Sequence, residues 1–250
     1  MQATIFLDEF LQKLTEDLKF NLVGVYLHGS LAMGCFNPQS SDIDLLIVVK
    51  EKLTVKIKKM IIKDILNLEE KYSECDIEMS ILLENALNEF EYPTPFELHY
   101  SKEHKEKYLI DEEYVCGDDV DPDLAAHIVV IIHRGICLKG KPIKETFKPI
   151  ENKYFLKSIL NDIETASEDI KVNPVYTILN LCRVLYYLKE GVISSKKEGG
   201  EWGIKTLDDK YTEIVLISTE KYLNDTKKLY IENDILIEFV NYMKTEILIS

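Results

Sequence analysis

The 250-residue sequence predicts an α/β (α+β) fold, with an N-terminal domain built on a small mixed sheet and helices, followed by a C-terminal all-helical domain. Two observations predict it. Strand-like runs at residues 22–27, 45–49 and 75–82 are separated by stretches in which apolar residues recur at helical spacing. From Tyr154 onward β-type alternation disappears, and helical periodicity covers 155–170, 175–189, 207–223 and 231–247. Pro142 and Pro149 interrupt the pattern between the two regimes, which gives domains of residues 1–145 and 146–250.

Phe6, Leu7, Phe10, Leu11, Leu14 and Leu18 make an amphipathic helix ahead of the first strand. Leu22 to Leu27 is β-rich and runs into His28-Gly29-Ser30, a strand ending in a turn. Asp42-Ile43-Asp44 stands at the mouth of the apolar run Leu45 to Val49. Ile57, Met60, Ile61, Ile65 and Leu68 place a helix from Val55 to about Tyr72, and the alternation of 75–82 gives a third strand. Pro93 and Pro95 then break the pattern. The acidic stretch 111–123, with Gly117 and Pro122, reads as a loop, and Ala125 to Leu138 reads as a helix ending at Gly140-Lys141-Pro142. Ser194 to Gly200 reads as a loop between helices.

Hydrophobic content of 46% and charged content of 30% describe a soluble globular chain. A net charge of −14 opposes the gripping of a polyanionic backbone, so no nucleic-acid partner is expected and cationic small molecules suit the field better. No run of 18 apolar residues and no basic-then-apolar N-terminus is present, so neither membrane nor export is expected and the location is taken as cytoplasmic. Cys35, Cys75, Cys116, Cys137 and Cys182 are widely spaced without a Cys-x-x-Cys pair, and read as reduced thiols. The histidines show no metal spacing. His28, directly before the Gly-Ser turn, is the exception with a potential role at the site.

Alternate residues of a strand project to one face, so Asp42 and Asp44 aim two carboxylates at one point, a pair of hard ligands suited to Mg²⁺. Gly29 lets backbone N–H groups approach a phosphate closely, and the Ser30 hydroxyl can donate to a phosphoryl oxygen, as can Ser41. Asp76, Glu78 and Ser80 share a face of the third strand. Glu78 can complete the metal site or accept a proton from an attacking hydroxyl, with Asp76 as its competitor. These acids are chemically sufficient for nucleotidyl transfer, which needs positioning, charge neutralisation and a base.

The order Gly29-Ser30, Asp42-Ile43-Asp44, Glu78 resembles the nucleotidyltransferase superfamily and, within it, the aminoglycoside adenylyltransferases that modify spectinomycin or streptomycin. Tyr92-Pro93 with Glu97-Leu98, Asp121 to Ala125, Ile178 to Tyr186, Gly191 to Lys196 and Glu201-Trp202 extend the resemblance along nearly the whole chain. It implies Gly29, Ser30 and Ser41 on the ATP phosphates, Asp42, Asp44 and Glu78 at magnesium, and Glu78 as the base. It further implies Asp123, Arg183 and Lys196 around the nucleotide; the acidic residue that members place ahead of the Arg-bearing helix falls at Asn173-Pro174 here, so Asn173, with Glu201 beside the sole tryptophan Trp202, is a candidate at the acceptor, while Trp202 itself reads first as core. The stretch His99 to His104 lacks the Trp of streptomycin-modifying members, which favours spectinomycin. The resemblance thus implies an ATP- and Mg²⁺-dependent enzyme that transfers AMP to a drug hydroxyl and releases pyrophosphate, and a monomer is expected. Another acceptor (a lincosamide, a metabolite or a protein side chain) and a non-catalytic antitoxin-like module are the alternatives; the intact acids argue against the second.

Overall fold

The computed structural model describes residues 2–224 and 231–250. They form two compact units that divide between Phe155 and Leu156. The first unit contains strands β1 (Leu22–Leu27), β2 (Ile43–Val49), β3 (Ile77–Leu83), β4 (Thr94–Phe96), β5 (Leu98–Tyr100), β6 (Asp119–Asp121) and β7 (Ile136–Gly140). Five of these form one mixed sheet in the order β5-β3-β2-β1-β7, and β4 pairs with β6 separately. Within the sheet β2 and β3 run parallel, while β1 pairs antiparallel with both β2 and β7.

Alternation sorts the side chains of β2 and β3 into two rows. Ile43, Leu45, Ile47 and Val49, with Ile77, Met79 and Ile81, join Phe6, Phe10 and Leu14 of α1 (Gln2–Leu18) and Ile61, Ile65 and Leu68 of α3 (Val55–Lys71) in one core. Leu46, Val48 and Leu82 join Tyr26, Leu124, Ile128, Ile131 and Phe147 in a second core, under α6 (Leu124–Arg134). Asp44, Glu78 and Ser80 belong to this second row by register, at its end nearest the one-turn helix α2 (Gly29–Ala32).

Two expectations for this unit are corrected. The helix read from Ala125 to Leu138 ends at Arg134: a Cβ on Gly135 would stand 2.7 Å from the Ile131 carbonyl oxygen, and the chain leaves the helix there to form β7 beside β1. The stretch 111–123, read as a loop, contains β6. Phe147 packs edge-on against Tyr26 at 4.7 Å, Thr146 Oγ1 lies 2.6 Å from the Tyr26 hydroxyl, and Tyr154 stacks on Tyr92 at 5.7 Å, which holds 146–154 in the first unit.

α3 helps fix the edge of β3 through Glu69, which is buried. Its carboxylate accepts from the Ile77 N–H at 3.2 Å and the Tyr100 hydroxyl at 2.6 Å, and pairs with Lys105 at 2.8 Å. Lys105 stands on α5 (Lys102–Ile110). Burial, then the hydrogen bond to Glu69, pushes the Tyr100 hydroxyl pKa up.

The second unit is helical: α9 (Ala166–Val172), α10 (Pro174–Glu190), α11 (Lys196–Thr206), α12 (Asp209–Leu223) and α13 (Asn233–Leu248) follow α8 (Asn152–Asn161), within which the units divide. α10 is its centre, with Ile178, Leu179, Leu181, Cys182 and Leu185 buried. The stretch from Lys196, read as a loop, is the start of α11. Ser195 and Glu198 form a capping box, and Gly199 and Gly203 permit close approach of α11 to Arg183 and Cys182 of α10.

Glu69→Ala strands the Ile77 N–H, the Tyr100 hydroxyl and Lys105 together, and is expected to destabilise the protein by about 3 kcal/mol. Urea unfolding reads this as a lower midpoint at unchanged slope; a cost under about 1 kcal/mol would show that the clamp does not hold β3.

Candidate active site

The parallel register sets Asp44 directly beside Glu78, and Leu27 at the end of β1 opposite Leu45. The chain therefore leaves β1 next to Asp44. His28 N–H donates to the Asp44 carbonyl at 3.0 Å, which ties the turn to β2. Gly29 has φ +62°, and a Cβ there would lie 1.7 Å from Asp44 Oδ2. Only glycine both adopts that backbone and leaves room for the carboxylate. The Ser30 Oγ is buried and has no hydrogen-bond partner among the described residues. Ser41 accepts from the Asn37 N–H at 3.2 Å and keeps its own proton to donate.

Asp76 is separated from Glu78 by its partner: Lys102 pairs with Asp76 at 2.5 Å. The Asp76 hydrogen bond, together with the charges of Asp76, Asp42 and Glu69, holds the Lys102 pKa up. Glu78 is thus the third acid left on the shared face.

These residues fit Mg²⁺ with nucleotide. Among the described residues no group of three His, Cys, Asp or Glu can hold a metal ion. Mg²⁺ characteristically takes one or two carboxylates and completes its shell with water and phosphate oxygens, which Asp42 and Asp44 suit, and a phosphoryl oxygen would satisfy the orphaned Ser30 hydroxyl.

His28, singled out in the sequence, and further histidines that spacing did not reveal gather here through the fold. The His28 ring lies 4.8 Å from that of His127, and burial followed by the His127 charge holds its pKa well below the usual value. His99 hydrogen-bonds Ser80 on β3 at 2.9 Å and feels the Glu78 charge. Asp123 stands just ahead of α6, its N–H donating to Asp121 at 2.7 Å, and it acts electrostatically on Tyr92.

The other predicted residues lie in the second unit. Lys196, the first residue of α11, sits over the Tyr176 ring at 4.2 Å. Arg183 donates to Asn180 at 2.6 Å and pairs with Asp162 at 3.5 Å. Asn173 caps α10 by accepting from the Tyr176 N–H, and Glu201 pairs with Lys197 at 3.8 Å. Trp202 is buried, stacked on Tyr186 at 5.0 Å, and donates to Glu190 at 2.5 Å.

A nucleotidyltransferase domain model matches residues 7–164, and the model of the C-terminal domain of aminoglycoside adenylyltransferases matches residues 145–246. The chain belongs to the aminoglycoside adenylyltransferase family of nucleotidyltransferases. This family member is 27% identical over 248 residues to an aminoglycoside (3'') (9) adenylyltransferase of Klebsiella pneumoniae, covering 96% of this chain and 93% of the relative. It is 24% identical to a spectinomycin 9-adenylyltransferase of Enterococcus faecalis, covering 91% of each. A crystal structure of spectinomycin adenyltransferase with ATP and spectinomycin superposes with a TM-score of 0.85 over 98% of this chain and 99% of that one, at 22% identity, and shows the same fold.

Gly29→Ala forces φ strain and displaces Asp44, so turnover of this nucleotidyltransferase is expected to fall at least about 100-fold while far-UV circular dichroism is unchanged. Near-normal turnover would show that the carboxylate does not need that position. His28 contributes a pH dependence of fixed sign. Its folded pKa is depressed below the unfolded value of about 6.5, so its contribution is complete above that value and is lost as pH falls, by up to about 1.4 kcal/mol per pH unit. Urea midpoints at pH 7.5 and 5.5 should separate more in the wild type than in His28→Leu; equal separations would contradict this.

Proposed function

We propose that the chain catalyses Mg²⁺-dependent transfer of AMP from ATP to a hydroxyl of a cationic aminoglycoside-type antibiotic, spectinomycin in preference to streptomycin. The observation that carries this reading is the in-register pair Asp44 and Glu78 on parallel strands, with the Gly29 turn packed against Asp44. Asp42 and Asp44 would hold the ion, whose charge neutralises the phosphates when bound. The acceptor oxygen forms a bond to the α-phosphorus as the bond from that phosphorus to the β-phosphate oxygen breaks. Glu78 takes the acceptor proton, Ser30 and Ser41 donate to phosphoryl oxygens, and pyrophosphate leaves.

A net charge of −14 and the names of the relatives support a cationic drug as acceptor. Asp123, Arg183 and Lys196 are proposed as nucleotide contacts, and Asn173 and Glu201 as acceptor contacts. Five free cysteines support a reducing, cytoplasmic setting, and no helix among the described residues is long and apolar enough to cross a membrane.

Pyrophosphate release from Mg-ATP, measured across spectinomycin, streptomycin, kanamycin and lincomycin with mass detection of the AMP conjugate, tests the proposal. Release with spectinomycin is expected, reduced by at least about 1,000-fold in Asp44→Asn and about 100-fold or more in Glu78→Gln. Full turnover by Asp44→Asn would overturn the metal assignment, and turnover with lincomycin alone would move the acceptor to another class.

A further inference from the structure

His99 and Ser80 form a polar pair on the sheet face that also carries Asp44 and Glu78. Glu78, Ser80 and Leu82 alternate along one face of β3, and His99 of β5 pairs with Ser80 in register, so its ring shares that face beside Glu78. Its placement is fixed at three points: its N–H donates to the Cys116 carbonyl at 2.8 Å, its carbonyl accepts from the Tyr108 hydroxyl at 2.8 Å, and Nδ1 lies 2.9 Å from Ser80 Oγ. Ser80 is 3% exposed, so the polar contact is maintained in surroundings that would favour an apolar pair. Burial, opposed by the Glu78 charge, keeps the imidazole pKa low and the ring neutral at pH 7; Asp121, His104 and His127 also act on it.

A neutral imidazole has one N–H. In the tautomer in which the Ser80 hydroxyl donates to Nδ1, the ring hydrogen sits on Nε2. Among the described residues Ser80 is the only hydrogen-bond partner of the ring. The site then presents an acceptor-only carboxylate next to a donor-only edge. An acceptor whose hydroxyl gives its proton to Glu78 would present its neighbouring substituent to that donor. An oxygen can accept there, whereas an ammonium, with three donors and no lone pair, cannot.

We propose that His99 is a specificity-determining residue, and that the acceptor carries an oxygen on the carbon next to the hydroxyl that receives AMP. This rests on the AMP-transfer reading above. It is tested on the full chain by steady-state kinetics with spectinomycin and Mg-ATP. In His99→Ala the KM for the acceptor rises about tenfold, the value of one hydrogen bond, while kcat and the KM for ATP stay within about twofold. His99→Gln, which keeps an amide N–H donor, recovers the acceptor KM. Ser80→Ala, which frees the ring without removing it, gives an intermediate rise and serves where His99→Ala fails to fold. An unchanged acceptor KM in both variants, or a His99→Gln as poor as His99→Ala, overturns the inference while leaving AMP transfer standing. A wild type that forms no AMP conjugate at all overturns the transfer reading and this inference with it.

Discussion

Residue-for-residue parallel pairing of β2 with β3 is the constraint on which the site depends. It places Asp44 beside Glu78 and Leu46 beside Ser80, and because side chains alternate, it sends every acid of the pair to the face away from α1 and α3. A slip of one residue would turn Asp44 and Glu78 into the core that holds Phe6, Phe10 and Ile65, and bring Leu45 and Met79 to the opposite face. The register that buries the apolar row therefore also assembles the carboxylates.

The polar groups around that pair are each held by a named partner. Glu69 secures the N–H of Ile77, one residue from Glu78, and Lys102 draws Asp76 aside. The Gly29 turn is fixed from the other strand through His28 and the Asp44 carbonyl. Buried polar groups of this kind are costly when left unmatched, so their partners confine the backbone near the acids to one arrangement. Ser30, whose hydroxyl has no partner among the described residues, is the point at which a ligand would complete the set.

The parts legible in the sequence are those carried by local pattern. The apolar rows of β2 and β3, the periodicity of α1 and α3, and the Gly-Ser and Asp-x-Asp spacings all depend on neighbours within a few residues. β7 was not legible, because Ile128 to Leu138 continues a helical phase and Gly135 is the only break before the strand. β5 has three residues after two prolines, too few for alternation to register. The approach of His99 to Glu78 and of Lys102 to Asp76 comes from pairings across the sheet and onto α5, which spacing along the chain does not encode. α11 did carry a signal, the Ser195 to Glu198 capping box, but its glycines gave it the composition of a loop.

The most direct test of the central claim is binding of Mn²⁺ together with a non-hydrolysable ATP analogue, followed by electron paramagnetic resonance in the wild type, Asp44→Asn and Asp76→Asn. The account predicts nucleotide-dependent Mn²⁺ binding that Asp44→Asn abolishes and Asp76→Asn, which loses only the Lys102 pair, leaves in place. Binding that survives in Asp44→Asn, or that depends on Asp76 instead, would contradict the assignment of the metal and nucleotide to the Asp44 face of the sheet.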